Sequence, residues 1–361
     1  MRRGGDSPRI ETMKTPLLLK LALAVIGGAF VTAGICAPAA PAGELSSPGS
    51  TRVARWKDDK TAAFLVMFDD SWPSHWQVAA PELVKRGLIA TFYINPGKGE
   101  YQKFAKEWEE KLWKQGMVYG DHTMTHKGVK DLADAEREIG DCAALITRVV
   151  PGRQPRLLSY GQPGVGKGDW NITGEELDGL LRKHHLISRP DFRDHGTVYH
   201  LKTAAEMLAL ADKAIRERGR EYVIIHGVER ITPDWHYQDF WPLKQDILRE
   251  LLDGLQARRD KDELWITDHI SAHQYETERT NATVRVLEAG AGGIKLQLDC
   301  TADPQFYDLP LTLVTRTPAA WKAAMVAQGT QEKAVAVEKG TIRFDARPGG
   351  EPIRIRRADR E

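Results

Sequence analysis

A chain of 361 residues is long enough for two domains, or for one large barrel with a small module, at roughly 150 residues per domain. Its charged fraction of 28% and mean hydropathy of −0.43 are those of a soluble globular protein. The formal net charge is +1, which leaves no basic footprint for nucleic acid.

The first residues read as a targeting segment. Lys14 precedes an apolar stretch from Leu17 to Ala37, with Lys20 inside it, and Ala40-Pro41-Ala42 follows. A basic start, an apolar middle and an A-x-A site predict a secretory signal peptide over 1–42. The mature protein is then exported, periplasmic or extracellular, with no stable membrane insertion after cleavage. Met13 is an alternative start. Lipidation at Cys36 competes with this reading, but Ile35 is large where a lipobox takes a small residue; an uncleaved membrane anchor also competes. Cleavage near Ala42 removes Arg2, Arg3, Arg9, Lys14 and Lys20 with Asp6 and Glu11, and turns the mature chain slightly acidic. It leaves Cys142 and Cys300 without a CxxC motif, which excludes a thiolate zinc site. The two are either one disulfide or two reduced, buried thiols.

Residues 43–55 begin rich in Pro, Gly and Ser and predict a flexible linker. Strand-like runs then alternate with helix-like stretches over 56–277. The strands are expected at Ala63–Phe68, Ile89–Ile94, Tyr222–Ile225 and Leu264–Thr267. The helices are expected at Trp76–Arg86, Tyr101–Gln115, Leu132–Val150, Thr173–Lys183, Ala204–Arg218 and Pro242–Arg258, with Thr173 and Thr203 at N-cap positions. Such alternation predicts parallel strands with covering helices, as a barrel or a doubly wound sheet. From 280 to 357 the texture changes to short strands between Gly, Pro and Asp turns, at Thr283–Leu287, Ile294–Leu298, Leu311–Thr315, Ala334–Glu338 and Thr341–Phe344. These predict a small appended β-sandwich.

Three places carry candidate chemistry. The run Phe64-Leu65-Val66-Met67-Phe68 ends abruptly in Asp69-Asp70, and a buried strand tip tolerates charge only where something binds it. An Asp-Asp pair is otherwise an N-cap or a surface turn; Ser71-Trp72-Pro73, which breaks the chain at once, favours a site. Next, His122 and His126 stand at i and i+4 in Gly120-Asp121-His122-Thr123-Met124-Thr125-His126, bounded by loop residues. Two imidazoles and one carboxylate suit zinc or another borderline divalent ion, and three protein ligands leave positions open for water and substrate. Last, Tyr222-Val223-Ile224-Ile225 ends in His226, a core histidine or a candidate general acid.

Taken in this order and spacing, the strand-Asp-Asp, the His-x-x-x-His and the strand-His resemble the polysaccharide deacetylase family, the NodB homology domain of carbohydrate esterase family four. The resemblance covers about residues 56–275. It implies a distorted (β/α) barrel, often of seven strands, a divalent metal cofactor such as zinc, and an acetylated glycan substrate. It assigns Asp70, His122 and His126 to the metal, Asp69 to the catalytic base and His226 to the catalytic acid. The family's third motif usually reads Arg-x-Pro-Tyr-Gly. Here Leu157-Leu158-Ser159-Tyr160-Gly161 stands in its place. Tyr160 matches the residue whose backbone N–H helps hold the oxyanion. Leu157 replaces the Arg that steadies the base, and Arg156 is one position off. For the fourth motif the candidate is Asp194, and Arg193 is a substitute for the missing Arg, unless the two are a surface ion pair.

The implied reaction is metal-dependent removal of acetyl groups from a polysaccharide or oligosaccharide, N-deacetylation of amino sugars being favoured. An O-acetyl esterase on plant-type glycans would use the same residues, and a catalytically silent glycan-binding barrel is the reading from another class. The chain has 10 tryptophans. Trp72, Trp76, Trp170, Trp235 and Trp241 fall near the site strands, where indoles stack on sugars or simply fill a core. His75, His184, His185, His195 and His236 have no fixed role, and most read as surface residues. Gly164-Val165-Gly166-Lys167-Gly168 lacks the spacing of a phosphate loop and reads as a flexible loop. The β-module is a carbohydrate-binding unit or a packing partner. Oligomeric state is not legible.

Overall fold

The structure, a computed structural model, describes residues 45–230 and 238–358. The expected signal segment, Cys36, Trp235 and His236 lie outside the described residues. After β1 (Thr51–Val53) come β2 (Ala62–Asp69), β3 (Thr91–Ile94), β4 (Val118–Asp121), β5 (Leu158–Tyr160), β6 (Leu186–Ser188), β7 (Arg220–Ile225) and β8 (Leu264–Thr267). Strands β2 to β8 form one parallel sheet in the order β6-β5-β4-β3-β2-β7, with β8 also on β2. The cause is plain in β2, whose residues are all buried. A strand covered on both faces belongs in a parallel sheet with helices outside. One edge of β2 is divided along its length. Ala62–Leu65 pair with β8 and Met67–Asp69 with β3, while β7 runs along the other edge. The division curls the sheet into the expected distorted barrel.

Strands β4, β5 and β6 escaped the sequence pattern because three or four residues carry too little periodicity. In β4, Gly120 is required because any Cβ there would strike the Tyr93 ring. The expected helix Tyr101–Gln115 is broken into Gly99–Lys103, Ala105–Glu110 and a 3-10 turn at Leu112–Gln115. Thr173 and Thr203 do cap their helices, each in a complete box with the glutamate three residues on; such caps contribute about 1 kcal/mol each.

The strand register sets the level of the site. Asp69 pairs with Tyr93, Ile94 with Asp121, Asp121 with Tyr160, Tyr160 with Ser188, and Phe68 with Ile225. The next residue along several strands therefore lies at one end of the sheet: Asp70, His122, Gly161, Arg189 and His226. Parallel barrels place their chemistry at this carboxyl end.

Beyond the helix His269–Asn281 come β9 (Ala282–Gly290), β10 (Gly293–Cys300), β11 (Leu311–Arg316), β12 (Ala323–Gln328), β13 (Gln331–Ala336), β14 (Thr341–Ala346) and β15 (Ile353–Arg357). They make two antiparallel sheets, β1-β11-β14 and β13-β12-β15-β10-β9. The linker expected at 43–55 thus gives way at Thr51–Val53, which pairs with Thr315–Leu313 along the edge of β11. An open edge is a liability that a partner strand removes. Trp56 and Tyr275 enter the sandwich core beside Leu296, Leu313 and Ile353, while Ala272, on the same helix as Tyr275, packs inside the barrel. Burying each of these two aromatic rings contributes roughly 2–3 kcal/mol. Cys142 and Cys300 are both free thiols.

Candidate metal centre and cleft

The chain turns sharply after β2. Asp70 and Ser71 both hold left-handed backbone, with φ of 83° and 56°, a conformation non-glycine residues adopt only at some cost and which clusters at functional sites. Two bonds to the end of β3 hold it there. The Asp70 N–H donates to the Tyr93 carbonyl at 3.1 Å, and the Asn95 N–H to Ser71 Oγ at 2.7 Å. Asp69 and Asp70 are 2% and 5% exposed.

Asp70, His122 and His126 present ligand atoms that all lie within 4.8 Å of one another. His122 Nε2 and His126 Nε2 stand 3.5 and 3.2 Å from Asp70 Oδ1. The two histidines are not on a helix. Left-handed backbone at Thr123 and His126, with φ of 65° and 60°, folds the segment into a loop, and Asn95 Nδ2 clamps it through the His122 and Thr123 carbonyls. His122 Nδ1 is 2.5 Å from the Gly161 carbonyl. A carbonyl only accepts, so Nδ1 carries the proton and the Nε2 lone pair is left for a cation. Burial, with His122 beside it, pushes the His126 imidazole toward its neutral form. Burial alone would raise the Asp70 carboxyl; the neighbouring His122, with Lys98 and His226, outweighs it and holds it well below the usual carboxylate range. The Trp72 indole N–H donates to Asp70 Oδ2 at 3.3 Å. Asp70 Oδ1 is buried with no partner among the described residues. A buried, ionised oxygen without a donor, facing two imidazole lone pairs, fits a divalent cation.

Asp69 is held differently. Its Oδ2 takes a 2.7 Å ion pair from Arg189 Nη2, with the two side chains 3% and 5% exposed. The guanidinium lies over the Tyr93 ring, 4.6 Å from its centroid. Any Cβ at Gly161 would collide with Arg189 Nε, so that glycine opens the passage. Asp69 Oδ1 is buried with no partner among the described residues, and Asp69 is part of the cleft lining.

His226 stands at the end of β7, with Nε2 3.9 Å from Asp70 Oδ2. Its carbonyl accepts a 2.6 Å bond from His75 Nε2. Burial pushes the His75 imidazole down to about 4, so it is neutral at physiological pH. Phe192, Phe240 and Trp241 surround the His226 ring edge-to-face at centroid distances of 5.3, 5.8 and 5.2 Å. Burial pulls the His226 imidazole toward its neutral form, opposed by the charges of Asp69 and Asp70. Asp69, Asp70, His122, His126, Arg189 and His226 line one cleft of about 710 Å³, together with Tyr160, Gln162, Asp191 and Arg193.

Residues 57–167 match the polysaccharide deacetylase family. The match covers under a third of the chain, the part that carries Asp69, Asp70, His122 and His126. A protein named gellan lyase, from a Bacillus species, is 22% identical over 298 residues, covering 76% of this chain. The chain spans only 12% of the length of that relative. Among solved structures, the peptidoglycan deacetylase PdaC of Bacillus subtilis shares 16% identity, with 59% of this chain and 90% of that one covered at a TM-score of 0.39. A family 4 carbohydrate esterase from Streptomyces lividans shares 17%, covering 56% and 90%, with a TM-score of 0.37. A CE4 family pseudoenzyme from Bacillus anthracis shares 11%, covering 62% and 69%, with a TM-score of 0.41.

Within the barrel the residues expected from the sequence divide cleanly. Asp69, Asp70, His122, His126, Tyr160 and His226 come together in the cleft. Asp194 does not: it is exposed, sits in a left-handed turn and is no part of the cleft lining. Arg193 is no substitute for the missing Arg, since it is exposed and paired with Asp191 at 3.2 Å. Arg156 is turned away onto the carbonyls of Pro151 and Val150. The residue that meets Asp69 is Arg189, which the sequence reading missed. The only signal was position, because Arg189-Pro190 ends β6 as Asp69 and His226 end theirs. His75, one of five histidines given no fixed role and mostly expected at the surface, is wholly buried.

Proposed function

We propose that this protein is a metal-dependent hydrolase that removes acetyl groups from a polysaccharide or oligosaccharide, N-deacetylation of amino sugars being favoured. The observation that carries the reading is the pair of adjacent carboxylates with separate surroundings: Asp70 open to two imidazoles, Asp69 clamped by Arg189. Asp70, His122 and His126 would hold the metal, zinc or another borderline divalent ion. A bound divalent ion supplies Lewis acidity toward an acetyl carbonyl and lowers the pKa of a water. Asp69 takes the proton of the attacking water as general base, and Arg189 keeps that carboxylate oriented by holding one oxygen and leaving the other free. Tyr160 lines the cleft, but its N–H is taken up in the ladder to β6, where Tyr160 pairs with Ser188 and its carbonyl accepts from the Arg189 N–H at 2.8 Å, so it is no free donor for an oxyanion. His226 donates a proton to the departing amine, which is a poor leaving group without one. The same set would serve an O-acetyl ester. The retained Asp69–Arg189 pair supports turnover over a silent glycan-binding barrel. We assign the deacetylase domain to residues 56–277 and the β-module to 280–357, and we propose export by a signal peptide over 1–42. Among the described residues no helix is long and apolar enough to cross a membrane.

Acetate release from N-acetylated chitin oligomers is expected to fall about a hundredfold or more with a chelator and to return with added Zn²⁺. Elemental analysis should find about one divalent ion per chain, lost in Asp70→Ala. Chelator-insensitive release, or full activity in Asp70→Ala, would overturn the reading.

A further inference from the structure

His75 is wholly buried and has no role in the proposed reaction. Its ring lies among Phe68, Phe92 and Trp108, at centroid distances of 5.2, 5.5 and 6.1 Å. In such an apolar setting a leucine or a phenylalanine is the ordinary occupant. The imidazole brings two polar nitrogens instead. Nε2 carries the proton, because its partner at 2.6 Å is the His226 carbonyl, which only accepts. Nδ1 is then a bare acceptor, buried with no partner among the described residues. An unsatisfied nitrogen in a core is costly. The bond to His226 is the one return the structure shows for it.

That bond belongs to a strap. Residues 71–75 directly follow the two site carboxylates and cross from the end of β3 to the end of β7. At the first end, Ser71 Oγ accepts from the Asn95 N–H at 2.7 Å. At the other, Ser74 Oγ accepts from the Val228 N–H at 2.8 Å, and His75 donates to His226 two positions earlier. The Ser74 N–H donates to Asp239 Oδ2 at 2.9 Å, which holds the strap itself. The pairing of β2 with β7 ends at Phe68 and Ile225, one residue short of His226. The strap takes over where the sheet stops. A catalytic imidazole is commonly oriented by a third group on its far nitrogen. His226 Nδ1 is buried with no such partner among the described residues. Three aromatic edges set the tilt of its ring, and its backbone carbonyl is where a hydrogen bond holds it.

We propose that His75 is a positioning residue for His226, holding the general acid at its working distance from Asp70 through the His226 carbonyl. The kinetic part of this rests on the deacetylase reading; the structural part does not. An amine must be protonated to leave, whereas p-nitrophenolate leaves unaided. For acetate release from chitin oligomers, His75→Phe and His75→Leu should lower kcat about tenfold or more and leave KM within about twofold. Their hydrolysis of p-nitrophenyl acetate and their divalent metal content should match wild type. His75→Gln, whose amide can still donate, should recover most of the loss on chitin. Equal losses on both substrates, or none on either, overturn the positioning role and leave the deacetylase reading standing. A crystal structure of His75→Leu needs no turnover. In it the distance from His226 Nε2 to Asp70 Oδ2, 3.9 Å in the wild type, should change by about 1 Å or more. An unmoved His226 overturns the proposal. A displaced His226, with no acetate released by wild type from any acetylated glycan, keeps the positioning role and overturns the deacetylase reading.

Discussion

At the carboxyl end of the barrel, Asp69, Asp70, His122 and the Arg189 side chain are buried together, and two of the carboxylate oxygens have no partner among the described residues. In the sandwich strands and the turn after β11, the buried polar side chains are Thr312, Thr315 and Thr317. Each is satisfied, by Asp345 at 2.6 Å, Thr51 at 2.9 Å and the Gly340 carbonyl at 3.2 Å. Both regions fold around apolar cores of the same residue types. They differ in what they leave unpaired, and a buried charge that lacks a partner in the folded chain is kept for something that arrives later. The helix His269–Asn281, which joins the two, carries one intermediate case: Glu278 is fully buried, with Oε1 accepting from the Leu309 N–H at 2.9 Å and Oε2 without a hydrogen-bond partner among the described residues.

The sharpest way to break this contrast is at Arg189. Arg189→Leu leaves Asp69 buried without its cation, and removal of one partner from such a pair costs about 3–5 kcal/mol. Thermal unfolding should register that loss. The kcat for acetate release should drop about a hundredfold, with metal content unchanged and partial recovery in Arg189→Lys. Undiminished kcat in Arg189→Leu would remove Arg189 from the site's machinery. The sandwich offers the opposite test. Leu296→Ala, at a fully buried position, should cost about 2–4 kcal/mol in denaturant unfolding while kcat per folded molecule stays within twofold. A parallel fall in kcat would mean that the β-module shapes the cleft.

The smallest effect concerns Glu278. Burial pushes its carboxyl up to about 7, above an ordinary value of 4.5. The folded state therefore binds the proton more tightly than the unfolded chain. The stabilisation is complete below the unfolded value and is lost as pH rises through the folded one. Glu278→Gln should match wild type near pH 4.5 and exceed it by about 1–2 kcal/mol at pH 8 in urea unfolding. A gap that is constant with pH would show that the carboxyl is not titrating in this range.

Much of the site was legible because its signals are local. A strand that ends in two carboxylates, a His-x-x-x-His between glycines and a strand that ends in His226 each lie within a few consecutive residues. Long runs such as Ala62–Phe68 in β2 also announce themselves, since a strand covered on both faces is built of apolar residues. The three-residue strands β5 and β6 carry no such periodicity, and they are the strands that bring Tyr160 and Arg189 to the cleft. Asp194 went astray for the same reason: a loop position has no register to fix it.

From its order of residues alone, this chain determined the candidate metal-ligand set, the two strand-end acid–base candidates and the alternation that makes a parallel barrel. Tertiary structure decided which cation meets Asp69, that Thr51–Val53 joins the sandwich and that His75 meets the His226 carbonyl. Those contacts join residues more than a hundred positions apart. Strand order and register bring them together, and neither is written in any short stretch of sequence.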